Sequence, residues 1–98
     1  MRTFAFDYDL TWSVDPFAFE AWVAILLFRG HTCLIVTGRS ERDKLTLGVE
    51  IPHGIRVIYC DRRPKRKVLA EHGFIGNIIF VDDMPECCGE AKLLGGEL

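Results

Sequence analysis

The chain has 98 residues, of which 49% are hydrophobic and 27% charged, a composition typical of a globular domain rather than a disordered segment. At this length we expect one domain over residues 1–98 and no second one. The formal net charge of -2 excludes a global attraction to nucleic acid or anionic membrane, so such binding would need a local basic patch.

The cysteines and the longest apolar stretch indicate the cellular compartment of the protein. Cys87 and Cys88 are adjacent and rarely bridge each other, while Cys33 and Cys60 lie in or at the end of apolar runs. No Cys/His spacing is typical of zinc, so we expect four reduced thiols. The apolar stretch Phe17–Phe28 is shorter than the roughly 20 residues of a membrane-spanning helix, and no basic segment precedes it. We therefore expect a cytoplasmic protein without a membrane anchor or a signal peptide.

The first third of the chain predicts a strand, a helix and a second strand. Thr3–Phe6 is a short apolar run that predicts a buried strand. The pair Asp15-Pro16 is typical of a helix start, because the acid caps the first turn and proline fits the first helical position. We expect this helix to reach about Arg29, just before a glycine. The apolar run Cys33–Val36 then predicts the second buried strand.

The middle of the chain predicts a short helix, a loop and a third strand. Ser40 can cap a helix over Glu41–Leu45. The segment Thr46–Gly54 contains two glycines and a proline, which predicts a loop with an extended piece around Val49–Ile51. The apolar run Arg56–Tyr59 predicts the third strand.

The last third of the chain continues the alternation of helices and strands. We expect a helix over Lys65–His72, a fourth buried strand over Asn77–Val81, a last helix over about Glu86–Leu94 and a frayed tail at Gly95–Leu98. The predicted strands are short and apolar on both sides, which is typical of a parallel sheet covered by helices on both faces. The sequence therefore predicts an α/β fold with a short parallel sheet.

Polar residues follow three of the four predicted strands. They are Asp7 and Asp9 after the first strand, Thr37, Gly38 and Arg39 after the second, and Asp82 and Asp83 after the fourth. Ligands of open α/β sheets bind outside the carboxyl ends of the strands, so we expect these residues to converge. Four converging carboxylates would repel one another unless a cation lay among them, and oxygen ligands favour Mg2+ over zinc. Taken singly, each of these acids can instead cap a helix.

The segment Asp7–Thr11 fits the pattern DxDxT directly after the first predicted strand. Here the chain resembles the haloacid dehalogenase superfamily of phosphotransferases, and the resemblance covers nearly the whole chain. The family motifs occur in order: DxDxT, Thr37 in Thr-Gly-Arg, a lysine at a helix start, and the acidic pair Asp82-Asp83. The resemblance implies a minimal Rossmannoid fold and a Mg2+-dependent phosphatase.

The resemblance also implies roles for individual residues. Asp7 would be the nucleophile that forms an aspartyl-phosphate. Asp9 would first protonate the leaving group and then activate water as a general base. Thr37 would hydrogen-bond the transferring phosphoryl group, the neighbouring Gly38-Arg39 would contact the substrate, and a lysine would neutralise phosphoryl charge.

A metal site is implied in the same way. Mg2+ would be held by the carboxylate of Asp7, the backbone carbonyl of Asp9 and Asp82, with Asp83 in or near the metal shell. This set of residues suits phosphoryl transfer, which depends on positioning and charge stabilisation more than on elaborate covalent chemistry.

Two positions depart from the family pattern or leave alternatives open. Leu10 stands where the family usually has a small or polar residue, which would alter the local turn. The motif lysine is either Lys65 or Lys67. We favour Lys65, because it is the first residue after Pro64 and lies one turn before Leu69, whereas Lys67 would lie about 200° round the helix.

The chain has little room for the cap domain that many members of the superfamily insert. One helix fits between Asp9 and Thr37, and only a short connection lies between Tyr59 and Lys65. The resemblance therefore implies a capless member, and such members tend to act on nucleic-acid ends or phosphoproteins. The basic run Arg62–Lys67 is then a candidate patch for a phosphate backbone, with a solvated charged loop as the alternative.

Assembly and activity also leave alternatives. The helix segment Phe17–Phe28 has Glu20 as its only polar residue, so it is either buried within the domain or part of a subunit interface, and we favour a homodimer. A catalytically silent module that binds phosphate or protein with the same fold is the alternative to an enzyme. A bacterial receiver domain fits less well, because it would place its paired acids first and a lone acceptor on a middle strand.

Overall fold

The computed structural model describes residues 1–42, 51–52 and 54–84. Its strands are β1 (Thr3–Phe6), β2 (Thr32–Thr37), β3 (Arg56–Tyr59) and β4 (Ile78–Val81). Its helices are α1 (Pro16–Phe28) and α2 (Lys65–Glu71), and a short 3-10 helix covers Trp12–Val14. The strands form one four-stranded parallel sheet with the order β3-β2-β1-β4. The predicted α/β class with a parallel sheet is therefore confirmed, and the arrangement is compatible with a Rossmann-like fold.

For the strands and α-helices that the structure describes, the observed boundaries lie within one residue of the predicted ones, whereas the 3-10 helix was not predicted. β1 and β3 have the predicted bounds, while β2 extends one residue further at each end, so that Thr37 closes the strand. α1 and α2 each end one residue before the predicted end, and β4 begins one residue later. The predicted helices over 41–45 and 86–94, the extended piece around 49–51 and the tail lie wholly or mostly outside the described residues.

The register of the sheet brings the carboxyl ends of the strands to one edge. Phe6 of β1 pairs with Ile35 of β2 and with Val81 of β4. The backbone N–H of Asp7 donates to the carbonyl of Val81 at 2.9 Å, so the pairing of β1 with β4 continues one residue past β1. Residues that follow β1 and β4 therefore begin side by side.

Within the part of the chain that the structure describes, each face of the sheet is covered by one helix, because successive strand residues point to opposite faces. The cluster under α1 includes the buried residues Phe6, Trp12, Val23, Leu26 and Ile35. The cluster under α2 includes the buried residues Ala5, Val36, Ile58, Val68 and Leu69. The two clusters fix both helices against the sheet and so determine where the residues that precede and follow them lie.

Two of the four cysteines fall within the described residues. Cys33 and Cys60 are buried free thiols, and they belong to the clusters on opposite faces of the sheet. Cys87 and Cys88 lie outside the described residues. Over residues 1–42, 51–52 and 54–84, none of the helices has the length and apolarity needed to cross a membrane.

Helix α1 packs on the sheet through one narrow stripe and exposes the rest of its apolar surface. Its buried residues are Val23 and Leu26. Phe17, Ile25 and Phe28 remain 84%, 62% and 90% exposed, respectively. Of the two alternatives raised by the sequence, burial of this helix within the domain is therefore not what the described residues show. The subunit interface stays a prediction.

Candidate active site

The centre of the site is a buried lysine shared by two carboxylates. Lys65 is 4% exposed, and its Nζ atom donates to Oδ1 of Asp7 at 2.7 Å and to Oδ2 of Asp82 at 2.5 Å. Asp7 follows β1 directly, Asp82 follows β4 directly, and Lys65 is the first residue of α2. Three separate elements thus meet at the carboxyl edge of the sheet, where ligands of open α/β sheets bind.

Packing of α2 selects which of the two candidate lysines reaches the site. Val68 and Leu69 are buried against the sheet. Lys65 lies three and four residues before them, on the same face of the helix, so burial of that face carries its side chain inward. Lys67 is exposed and lies elsewhere on the helix surface. Lys65 is therefore the lysine that contacts the acids.

Thr11 links Asp7 to a third acid. The Oγ1 atom of Thr11 lies 3.3 Å from Oδ2 of Asp7 and 3.3 Å from Oδ1 of Asp83. Asp7, Asp82 and Asp83 each offer a carboxylate oxygen to a group whose oxygens all lie within 4.8 Å of one another. These are three of the four predicted metal ligands, and the set has the oxygen chemistry that Mg2+ prefers.

The charges in this site do not balance. Burial is the main cause that raises the pKa of Asp7 to about 6, and Lys65 only partly opposes it. Burial lowers the pKa of Lys65, but its hydrogen bonds to Asp7 and Asp82 outweigh that effect and hold the pKa above its ordinary value. Lys65 therefore stays charged, and one ammonium faces three carboxylates. The excess negative charge favours a bound cation.

Asp9, predicted to be the general acid, is held by an arginine. Arg39 donates from Nε to Oδ2 of Asp9 at 2.9 Å and from Nη2 to Oδ1 at 2.8 Å, which is a bidentate ion pair. These bonds are the main cause that lowers the pKa of Asp9. The carboxylate of Asp9 is accordingly not a member of the Asp7, Asp82 and Asp83 group. The contact that the sequence predicts between Asp9 and the metal uses the backbone carbonyl of Asp9, not its carboxylate.

Thr37 and Gly38 shape the turn beside this pair. Thr37 is fully buried, and its Oγ1 accepts a hydrogen bond from the backbone N–H of Arg39 at 3.2 Å. A Cβ placed on Gly38 would meet nothing within 4 Å, so the glycine leaves open space at the sheet edge. A cavity of about 210 Å3 occupies the edge, and the residues that line it include Asp7, Asp9, Gly38, Lys65, Asp82 and Asp83. Thr37 is not among the lining residues described.

Leu10 adopts the conformation that a glycine would favour. Its φ is 61°, in the left-handed region, and its side chain is 71% exposed. The turn is held by the backbone N–H of Leu10, which donates to Oγ of Ser13 at 3.2 Å, and by the backbone N–H of Trp12, which donates to the carbonyl of Asp7 at 3.1 Å. The departure from the family pattern is thus accommodated by strain in one residue.

The basic run at 62–67 does not form one continuous patch. Lys65 enters the site, Arg63 forms an ion pair with Glu71, and the guanidinium of Arg66 lies 5.0 Å from the ring centre of Phe80. Arg62 instead lines a second cavity together with Arg39 and Arg42. Arg62 and Arg63 precede α2, with Arg62 in a left-handed conformation, whereas Lys65 and Arg66 lie on α2, where successive side chains are turned by about 100°. Adjacency in the sequence is therefore lost in the fold.

Sequence reasoning missed two contacts at this site. Sequence analysis assigns no role to Thr11, although this residue ends the DxDxT pattern and its position there is the available signal. The Arg39–Asp9 pair had no signal in the sequence beyond the presence of both charges at strand ends.

No family model, curated protein or solved structure matches the chain. What the site does must therefore be inferred from its own residues.

Proposed function

We propose that this protein is a Mg2+-dependent phosphohydrolase of the haloacid dehalogenase type, with Asp7 as its nucleophile. The observation that carries the proposal is the buried Lys65 ammonium held between Asp7 and Asp82 at the carboxyl edge of the sheet. A purely structural ion pair needs one acid, whereas this lysine faces two acids with a third beside them. Such an arrangement suits the binding of a phosphoryl group and a divalent cation together.

The proposed reaction divides into two displacements at phosphorus. An oxygen of Asp7 attacks the phosphorus of the substrate, and the bond from phosphorus to the leaving oxygen breaks. The leaving oxygen takes a proton from Asp9. Asp9 then removes a proton from water, the water oxygen attacks the aspartyl-phosphate, and Asp7 is regenerated with release of inorganic phosphate. Lys65 provides a fixed positive charge near the attacking oxygen throughout.

The residues at the edge of the sheet fit a divalent cation. Asp7, Asp82 and Asp83 would hold Mg2+, with the backbone carbonyl of Asp9 as a further oxygen ligand, and they outnumber the single ammonium among them. When bound, Mg2+ would neutralise negative charge that develops on the transferring phosphoryl oxygens. Thr37 retains a hydroxyl proton to donate, because its Oγ1 accepts rather than donates in the bond from Arg39.

Asp9 can act as an acid only after its ion pair with Arg39 opens. The guanidinium of Arg39 is planar and matches a phosphate oxygen pair as well as a carboxylate. An incoming phosphate would therefore compete with Asp9 for Arg39. In this proposal, binding of the substrate frees Asp9 for proton transfer at the time when it is needed.

The lengths of the described connections beside the site favour a large or exposed phosphate as substrate. The connection from β1 to β2 contains the short 3-10 helix and α1, and the connection from β3 to α2 runs from Cys60 to Pro64. Neither described connection is long enough to fold over the site as a separate lid. A macromolecular substrate, such as a nucleic-acid end or a phosphoprotein, would itself cover the reacting groups.

Phosphate release from an aryl phosphate tests the proposal directly. We expect release by the wild-type protein with Mg2+ and none with a chelator. We expect none from Asp7→Asn, which keeps the side-chain shape but removes the nucleophile. Glu20→Gln, on the exposed surface of α1, is the matched control and should remain fully active. Release that persists in Asp7→Asn, or that does not need Mg2+, would overturn the mechanism.

A catalytically silent phosphate-binding module is the second candidate. The observation that favours it is the Arg39–Asp9 pair, since the residue expected to donate a proton is engaged and its pKa is lowered. This alternative predicts that wild type and Asp7→Asn bind a phosphorylated ligand equally and that neither releases phosphate. The same pair of proteins therefore separates the two candidates.

A further inference from the structure

A second cavity adjoins the candidate active site and is lined by three arginines. It has a volume of about 530 Å3, and its charged lining residues are Arg39, Arg42, Arg62, Asp9 and Asp61. It shares Asp9 and Gly38 with the cavity that contains Asp7 and Lys65. A molecule whose phosphate lies in the first cavity therefore has direct access to the second.

Backbone hydrogen bonds join the two loops that form this cavity. The N–H of Cys60 donates to the carbonyl of Thr37 at 2.8 Å, and the N–H of Arg62 donates to the carbonyl of Gly38 at 2.8 Å. The N–H of Asp61 donates to the carbonyl of Arg39 at 3.1 Å. The pairing of β2 with β3 thus continues beyond the strands and positions Arg62 beside the Thr-Gly-Arg turn.

Arg62 occupies this position at a conformational cost. Asp61 and Arg62 are consecutive residues with φ values of 50° and 65°, in the left-handed region. Aspartate tolerates this region, whereas a long side chain there is strained. Strained residues of this kind cluster at sites of function, where the surrounding structure enforces them.

The cavity retains positive charge for a ligand. Arg39 is paired with Asp9, and three arginines in all face two carboxylates. Among the described residues, Arg42 and Arg62 form no salt bridge. Arginine is the side chain best suited to bind phosphate oxygens through two parallel hydrogen bonds.

From these observations we infer that the arginine-lined cavity is a second phosphate subsite. It binds a phosphate group of the substrate other than the one attacked by Asp7, and this inference rests on the proposed function of the first cavity. The substrate is then a phosphate monoester that carries a second phosphate. A nucleoside bisphosphate has this chemistry, and so does a phosphorylated nucleic-acid end with its adjoining phosphodiester.

Binding to the inactive Asp7→Asn variant tests the subsite without turnover. Affinities would be measured by calorimetry, with Mg2+ present, for adenosine 3′-monophosphate, adenosine 3′,5′-bisphosphate and a 3′-phosphorylated oligonucleotide. We expect the bisphosphate to bind at least about tenfold more tightly than the monophosphate, the ratio that one well-formed charged hydrogen bond provides. An oligonucleotide that exceeds the bisphosphate in affinity would identify the nucleic-acid end as the source of the second phosphate.

Variants in the cavity locate this effect. Arg62→Gln and Arg42→Gln, each added to Asp7→Asn, should reduce the preference for the bisphosphate to near unity and leave affinity for the monophosphate unchanged. Arg62→Gly removes the arginine and also relieves the left-handed strain, so it should lose the same preference in a protein that remains folded. Arg29→Gln, at the end of α1, is the control and should keep the preference.

The outcomes separate the subsite from the proposed function. An equal affinity for the two nucleotides, or a preference that survives Arg62→Gly and Arg42→Gln, would overturn the subsite. The subsite would also be overturned if a phosphopeptide, measured in the same way, bound more tightly than the bisphosphate and its affinity did not change in either variant. A preference that depends on these arginines, in a protein whose wild type releases no phosphate, would retain the subsite and reject the phosphohydrolase.

Discussion

The Nζ atom of Lys65 lies 2.7 Å from Oδ1 of Asp7, although the two residues are 58 positions apart in the chain. The contact joins the start of α2 to the end of β1 and is buried. Because the same ammonium also binds Asp82, one side chain provides the positive charge shared by the two carboxylates that this part of the fold places out of water. The stability of the protein and its proposed chemistry thus depend on one residue.

Lys65→Met should destabilise the metal-free protein by about 3 kcal/mol, because removal of one partner leaves buried carboxylates without compensation. Lys67→Met, at an exposed position on the same helix, should change the free energy of unfolding by less than about 0.5 kcal/mol. Denaturant unfolding with and without Mg2+ measures both, and Mg2+ should restore part of the loss in Lys65→Met. Equal stabilities of the two variants without metal would contradict the importance of the buried pair.

The raised pKa of Asp7 predicts an unusual dependence of the stability of the protein on pH. Its pKa in the folded protein is raised to about 6, above its ordinary value of 3.8, mainly by burial. The folded state then holds a proton that the unfolded state has lost between these values. The free energy of unfolding of the metal-free protein should therefore decrease as pH rises from about 4 to about 6 and level off above that, by at most about 3 kcal/mol.

Asp7→Asn serves as the reference for this measurement, because asparagine does not titrate. The difference in unfolding free energy between wild type and Asp7→Asn should change over that pH interval, while contributions from other groups cancel. At pH 7, Mg2+ should stabilise the wild-type protein more than the variant. A difference that stays constant from pH 4 to pH 7 would show that Asp7 titrates normally.

The sequence was sufficient to predict the sheet and the acids at its edge. The four apolar runs were each long enough to specify a strand, and their alternation with helices specified a parallel order. Lys65 could be preferred over Lys67 because helical spacing from Leu69 is a local property. The structure agrees with these placements where the determining interactions are short in range or follow from strand direction, and the chemical roles of the residues stay predictions.

The contacts that the sequence could not predict depend on long side chains and on tertiary placement. Arg39 follows a different strand from Asp9, and its pairing with that acid depends on the distance between two loops. The divergence of Arg62, Arg63 and Arg66 depends on a left-handed turn next to a helix start. A run of like charges in the sequence gives no information about either feature.

Leu10→Gly should stabilise the protein. The left-handed conformation costs a non-glycine residue roughly 1–2 kcal/mol, and the greater entropy of glycine in the unfolded chain cancels part of the gain, so we expect a net increase of about 0.5–1 kcal/mol. Leu10→Ala removes the same exposed side chain but keeps the Cβ atom, so it should give no such increase. Thermal unfolding of the two variants checks this, and equal gains would assign the effect to the exposed leucine instead of the backbone.

Gly38→Ala should weaken substrate binding without harm to the fold. Gly38 has no left-handed φ, and an added Cβ meets nothing within 4 Å, yet the residue lines both cavities. We expect KM for a phosphorylated substrate to rise roughly tenfold, while the free energy of unfolding is unchanged or slightly increased.

Gly54→Ala is the matched control, because Gly54 has a φ of 94° and lies outside the residues that line the two cavities. That variant should lose stability, since alanine is strained there, and should keep its KM. Gly38→Ala should therefore raise KM and keep the stability, whereas Gly54→Ala should lower the stability and keep KM. An unchanged KM in Gly38→Ala would mean that the open space beside the Thr-Gly-Arg turn is not used by the substrate.

The exposed stripe on α1 predicts self-association. Phe17, Ala21, Ile25 and Phe28 recur at helical spacing on the surface that faces away from the sheet, and all four are exposed. Monomeric proteins rarely expose a continuous apolar patch larger than a few hundred Å2. We therefore expect a homodimer in which this stripe is covered by its copy on a second chain.

Sedimentation equilibrium of wild type, Ile25→Glu and Ile75→Glu checks the homodimer. Ile25→Glu places a charge at the centre of the stripe and should give a monomer, because burial of an unpaired carboxylate in an apolar interface costs several kcal/mol. Ile75 is equally apolar and 83% exposed but lies in the loop after α2, so Ile75→Glu should remain dimeric. A wild-type protein that stays monomeric at every concentration would mean that the stripe is not covered by a second copy.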